Sequence, residues 1–218
     1  MNIKMALFRA SVVFAVSASL PAVAWAADGG SFTDARDGKK YRTVKIGKQT
    51  WMAENLNYKT GVSWCYDGDE SNCKEYGRLY DWGTAVKACP SGWRLPDTAG
   101  WNRLMAAVGG ARKFNDDGEA YYDVAGKKLK SKTGWNDNDD GKSGNGADEF
   151  GFSALPGGGR LYTDNGTFFN AGYYGYWWSA TEDESLAYTR SMLYDYLDDV
   201  YEGSGAKEEY GFSVRCVK

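Results

Sequence analysis

The stretch YGRLYDWGTAVKACPSGWRLPDTAGWNRLMAAVGG, residues 76–110, departs from the alternating pattern of the residues before it. Leu79, Trp82, Ala85 or Val86, and Cys89 recur three or four apart, the spacing of one helical face, and Pro90 stops that helix. Asp97 or Thr98 opens a second helix, with Trp101, Leu104, Met105 and Val108 as its apolar stripe and Gly109-Gly110 as its end. The first half of the chain therefore carries two adjacent helices.

Upstream, Tyr41, Val44, Ile46 and Trp51 alternate with polar residues about Ile46-Gly47-Lys48, which predicts a two-stranded hairpin. Downstream, residues 111–148 are rich in Asp, Asn and Gly and read as loops. Short aromatic and β-branched runs follow at 150–157, 176–182, 186–193, 198–203 and 209–217, the pattern of a largely antiparallel sheet with Gly-rich turns. Glu149–Ala154 and Glu209–Val214 echo each other and read as two strands with similar packing. The fold class is α+β: an N-terminal hairpin, two helices and an antiparallel sheet with long loops.

A chain of 218 residues suits one domain. Residues 1–26 read as a signal peptide, with an apolar run after Lys4 and Arg9 and the small-x-small site Ala24-Trp25-Ala26. Residues 27–30 are a short linker and 31–218 a single domain. No cysteine precedes Cys65, which argues against a lipid anchor, and no second apolar stretch suggests a membrane span. The product is expected outside the cytoplasm, in the periplasm, on the surface or secreted, and monomeric. Loss of Lys4 and Arg9 with the leader leaves 24 bases against 29 acids, which argues against nucleic acid as a partner.

Four cysteines in an exported chain allow three pairings. Cys65 and Cys73 bracket a turn-forming loop and pair most economically, which leaves Cys89 with Cys216. The chain has no histidine, so no Ser-His-Asp or Cys-His arrangement exists, and with both bridges formed no thiol remains for chemistry. An enzyme is not expected.

The motifs FTDARDGKKYRTVKIGKQTWMAENLNY, CPSGWRLP, GFSALPGG, YWWSATE and YGFSVRCVK, in this order between Ser31 and Lys218, resemble the Fibrobacter succinogenes major paralogous domain, a bacterial exported module. The resemblance implies a C-type lectin-like fold. In that fold the Cys89–Cys216 pairing looks like the long disulfide, and Trp82, Ala85 and Cys89 fall on the first-helix face. The chain lacks the Glu-Pro-Asn or Gln-Pro-Asp tripeptide of calcium-dependent sugar-binding lectins.

Tyr188, Arg190, Tyr194, Asp195, Tyr196, Asp198, Asp199 and Tyr201 form a tyrosine-rich, charged stretch suited to ligand contact, since tyrosine offers rigid area with a polar tip. Asp137, Asp139, Asp140 and Asp148 are candidate Ca2+ ligands, although Ala147 stands where an EF-hand requires an acid, and no cofactor is required. Glu182, Asp183 and Glu184 are the acids that a carboxylate-dependent glycan hydrolase would use. Trp177-Trp178 reads as scaffold, with contact ten to twenty residues further on. The expected function is a surface or secreted module that binds a glycan or protein ligand; the alternatives are that hydrolase and a structural surface protein.

Overall fold

The hairpin forms where the alternation places it. In the computed structural model, which describes residues 29–163, 166–196 and 198–218, strands β2 (Lys40–Ile46) and β3 (Gln49–Met52) pair with Ile46 opposite Gln49. Gly47 holds φ +59° at the first central position, the place a type II′ turn reserves for glycine. The leader assigned to residues 1–26 lies outside the described residues. A strand β1 (Gly29–Thr33) adds antiparallel to β2, so Gly29 and Gly30, assigned to the linker, are strand residues.

The helix pair is present with one change of boundary. Leu79–Tyr80 is a short strand, β5, and helix α2 (Trp82–Ala88) starts only after Asp81, whose carboxylate accepts the Thr84 N–H at 2.7 Å. The cap outweighs the apolar spacing that carried the helix back to Leu79. Helix α3 (Thr98–Ala107) is capped by Asp97 onto the Gly100 N–H and buries Trp101, Leu104, Met105 and Val108. Two further helices correct the expectation of two: α1 (Glu70–Tyr76), which carries Cys73 of the short disulfide, and α4 (Ala125–Leu129). Between α3 and α4 runs a hairpin, β6 (Arg112–Phe114) and β7 (Ala120–Tyr122), where loop was expected.

The larger sheet has ten strands among the described residues. Its order is β4 (Ser63–Trp64), β5, β13 (Tyr210–Ser213), β8 (Gly157–Leu161), β10 (Tyr174–Asp183), β11 (Leu186–Leu193), β12 (Val200–Ala206), β7 and β6, with β9 (Phe168–Ala171) on β8. It is antiparallel except where β10 meets β8 and β13. Residues 149–154 form no strand, and Ser153 takes φ +52°, so their likeness to 209–214 has no counterpart in the fold.

Adjacent strand residues face opposite ways. Trp177 and Trp178, both fully buried, accordingly join different core clusters, Trp177 with Trp51, Trp101 and Phe152, and Trp178 with Tyr80, Leu56 and Phe212. Both disulfides form, Cys65–Cys73 and Cys89–Cys216. After β13 the chain returns along β3: Met52 N–H donates to Cys216 O, and Thr50 and Lys218 exchange backbone hydrogen bonds. Among the described residues no helix is long and apolar enough to cross a membrane.

Candidate functional site

The tyrosine-rich stretch spans β11, the turn after it and β12. Tyr188 is exposed on β11, and Tyr196 is 52% exposed in the turn, its ring edge-on to Tyr201 at 5.8 Å. Tyr201 also packs on Tyr121 of β7 at 5.7 Å, and burial pushes its hydroxyl up to about 12. Asp195 and Asp198 are exposed. Burial, with Asp198 beside it, raises the Asp199 carboxyl.

Arg190 does not belong to this surface. It is 1% exposed, and its guanidinium donates to Asn102 Oδ1 at 2.7 Å and Thr189 O at 2.8 Å, 3.5 Å from Glu202. Glu202 is itself held by Arg112. Arg190 lies on the same side of β11 as Tyr188, but Asn102 of α3 and Glu202 of β12 cover it there, so it cannot orient a ligand at the tyrosines.

Two candidate regions that are far apart in sequence meet in space. In the acidic loop, Asn136 N–H donates to Gly172 O at 2.8 Å, and Tyr194 N–H donates to Tyr173 O at 2.9 Å. A Cβ on Gly144 would sit 2.3 Å from Asn136 O and 2.9 Å from Tyr194 O, so the loop packs this closely only because residue 144 is glycine. Tyr173, 45% exposed, meets Tyr194 edge to face at 5.1 Å, and Tyr174 lies 6.4 Å from Tyr194. Desolvation raises the Tyr194 hydroxyl, and Asp139 and Asp195 add to the shift. Tyrosine rings and carboxylates from residues 136–145, 172–174 and 194–201 thus share one surface.

The four proposed calcium ligands do not gather. Asp148 takes φ +45° and spends its carboxylate on Ser153, accepting from the N–H and the hydroxyl at 2.7 Å each. Asp137 forms a backbone bridge with Ser143. Among the described residues, the one group of three metal-binding side chains within 4.8 Å of one another is Cys65, Glu70 and Cys73, whose sulfurs are joined to each other. Glu182, exposed near the β10–β11 turn, pairs with Lys207.

Two buried cations escape a reading of the sequence. Lys130 is fully buried; its ammonium donates to Leu193 O and stands 4.5 Å from the Trp135 ring centroid. Burial pushes it down to about 8, against the pull of Asp195, Asp198 and Asp199. In a run of lysines it had no mark to separate it from a solvated charge. Arg215 is fully buried and has all five N–H groups satisfied: Asn55 Oδ1 accepts two, and Met52, Phe152 and Ser153 carbonyls accept the rest. Asn55 Oδ1 also accepts from Trp177 Nε1 at 2.8 Å, and its amide donates to Tyr76 O and Ser213 Oγ.

A family model described as Fibrobacter succinogenes major domain matches residues 44–218. No curated protein and no solved structure matches the chain.

Proposed function

The chain belongs to the Fibrobacter succinogenes major domain family, and from that premise we propose that it is an exported binding module of C-type lectin-like fold that recognises a glycan at the tyrosine–aspartate surface. The lectin-like reading is supported by the hairpin, the consecutive α2 and α3, and the disulfide from the end of α2 to the residues after β13. Two disulfides suit an oxidising compartment.

The observation that carries the binding reading is the convergence of Tyr173, Tyr174 and Tyr194 with Asp139 and Asp195, and of Tyr196 beside Tyr174, on loops held by backbone hydrogen bonds. Aromatic faces accept the C–H side of a sugar ring, and exposed carboxylates accept its hydroxyl hydrogens. Rigid loops reduce the ordering cost of a shallow site. The aspartates orient the sugar, a role that buried Arg190 cannot fill.

A glycan array on the purified protein, run with and without a chelator, tests this. The bound glycan should lose at least about tenfold in affinity when Tyr194→Ala is combined with Tyr196→Ala. Absence of binding to every glycan on the array sinks the sugar reading, and loss of binding to chelator would place calcium at the site.

A further inference from the structure

Lysines gather elsewhere, around a cleft of about 570 Å³ between the N-terminal hairpin, α1 and the turn at residues 131–133. Lys40, Lys74 and Lys132 stand exposed on its rim, while Asn55, almost fully buried, and half-buried Ser153 lie in its floor. Five basic and three acidic side chains line it, in a chain with more acids than bases. The Arg42–Glu54 pair at 2.8 Å cancels within itself, which leaves Lys39, Lys40, Lys74 and Lys132 against Glu75 and Asp148, four positive charges against two negative. The Lys39 ammonium is held on Asn57 O, but no ion pair occupies Lys40, Lys74 or Lys132 among the described residues.

The floor adds a second, independent source of positive potential. Asn55 and Ser153, which line the cleft, bond to Arg215 directly behind them. All its acceptors are neutral, and among the described residues no carboxylate lies within ion-pair distance of it; Glu54 and Asp148 act on it only from further away. A full charge in a low-dielectric interior is poorly screened, and a concave surface above it focuses its field.

We propose that this cleft is an anion-binding site for a small ligand or saccharide carrying a carboxylate or sulfate group, with Lys40, Lys74 and Lys132 as contacts and Arg215 as the fixed charge beneath. It is separate from the tyrosine surface and does not depend on the reading of that surface. The rim lysines sit on three different segments, β2, α1 and the turn after α4, so a bound anion would bridge all three.

Calorimetric titration of the purified protein with oligogalacturonate, a neutral oligosaccharide of equal length, and inorganic sulfate tests the proposal. Oligogalacturonate should bind, more weakly as salt is raised, and the neutral chain should not. The combined variant Lys40→Glu, Lys74→Glu, Lys132→Glu should weaken that binding at least about tenfold at an unchanged melting temperature. Tyr194→Ala with Tyr196→Ala should leave it unchanged. Matching binding of sulfate supports a site for simple anions, and binding of oligogalacturonate alone supports one for acidic saccharides. Failure of both anions to bind overturns the proposal, as does binding that survives charge reversal or disappears with the tyrosine variant.

Discussion

At the scale of single residues, Asn55 carries more of the fold than its surroundings in sequence suggest. Nothing local in ENLN reveals that Trp177, Arg215, Tyr76 and Ser213 converge on one amide. Asn55→Ala leaves two guanidinium N–H groups and an indole N–H buried without an acceptor, and should cost about 3–5 kcal/mol in urea unfolding. Asn55→Asp restores the acceptor and should cost less than the alanine variant. An alanine variant as stable as the parent would mean that water enters to replace the amide. Lys130 works in the opposite direction. Its folded value of about 8 lies below the unfolded lysine value, so between the two the unfolded chain binds more protons, and stability rises with pH through that window. Below pH 8 the cost of burying the charge is felt in full. Lys130→Met should therefore be more stable than the parent by about 2–3 kcal/mol at pH 7, with the advantage shrinking toward pH 10. A variant less stable at pH 7 would show that the hydrogen bond to Leu193 O and the Trp135 contact outweigh desolvation.

Among the elements, those with a cap or a strict period were legible in the sequence. Asp97 and Gly109 bound α3, Gly47 sets the β2–β3 turn, and β10, β11, β12 and β13 overlap the short aromatic and β-branched runs at 176–182, 186–193, 198–203 and 209–217. The missed elements are short: α1 and α4 span seven and five residues, β6 and β7 three each, and β1, β4, β8 and β9 two to five, too few to display a period. The run at 150–157 failed for another reason, since Phe152 is buried from a turn rather than from a strand. The disulfides differ in what they constrain. Cys89–Cys216 separates residues 127 apart and Cys65–Cys73 residues 8 apart. By chain entropy, replacing the first pair with alanines should cost about 5 kcal/mol and the second about 2.5 kcal/mol. Equal losses in chemical denaturation would show that the native contacts of α1, not loop length, set the value of the short bridge.

For the whole molecule, the order of parts could be read from the sequence but their closure could not. Residues 136–145 and 194–201 were separate candidates because only the register of β10 against β11 brings Tyr173 beside Tyr194 and carries Gly172 to Asn136. Closure of the hairpin onto the rest has the same character. Val214, Arg215, Cys216 and Val217 are all fully buried, and their backbone runs between β3 and the segment before α3. Val217 exchanges two backbone hydrogen bonds with Arg94, and Lys218 exchanges two with Thr50, at 2.9–3.0 Å. The three-stranded sheet is thereby tied to the larger one, and the intact chain should unfold in one transition, with tryptophan fluorescence and far-UV circular dichroism coinciding. Removing Val217 and Lys218 keeps the disulfide and Arg215 but deletes these four bonds and the buried valine. At about 1 kcal/mol for each bond and about 1.5 kcal/mol for the side chain, stability should fall by about 5.5 kcal/mol. The hairpin should then loosen first, so that the two probes separate, with fluorescence reporting Trp51 leading. Coincident curves at the parent midpoint would show that the two sheets are joined by side-chain packing of Trp51 on Trp101 and Phe152 and not by the terminal strand.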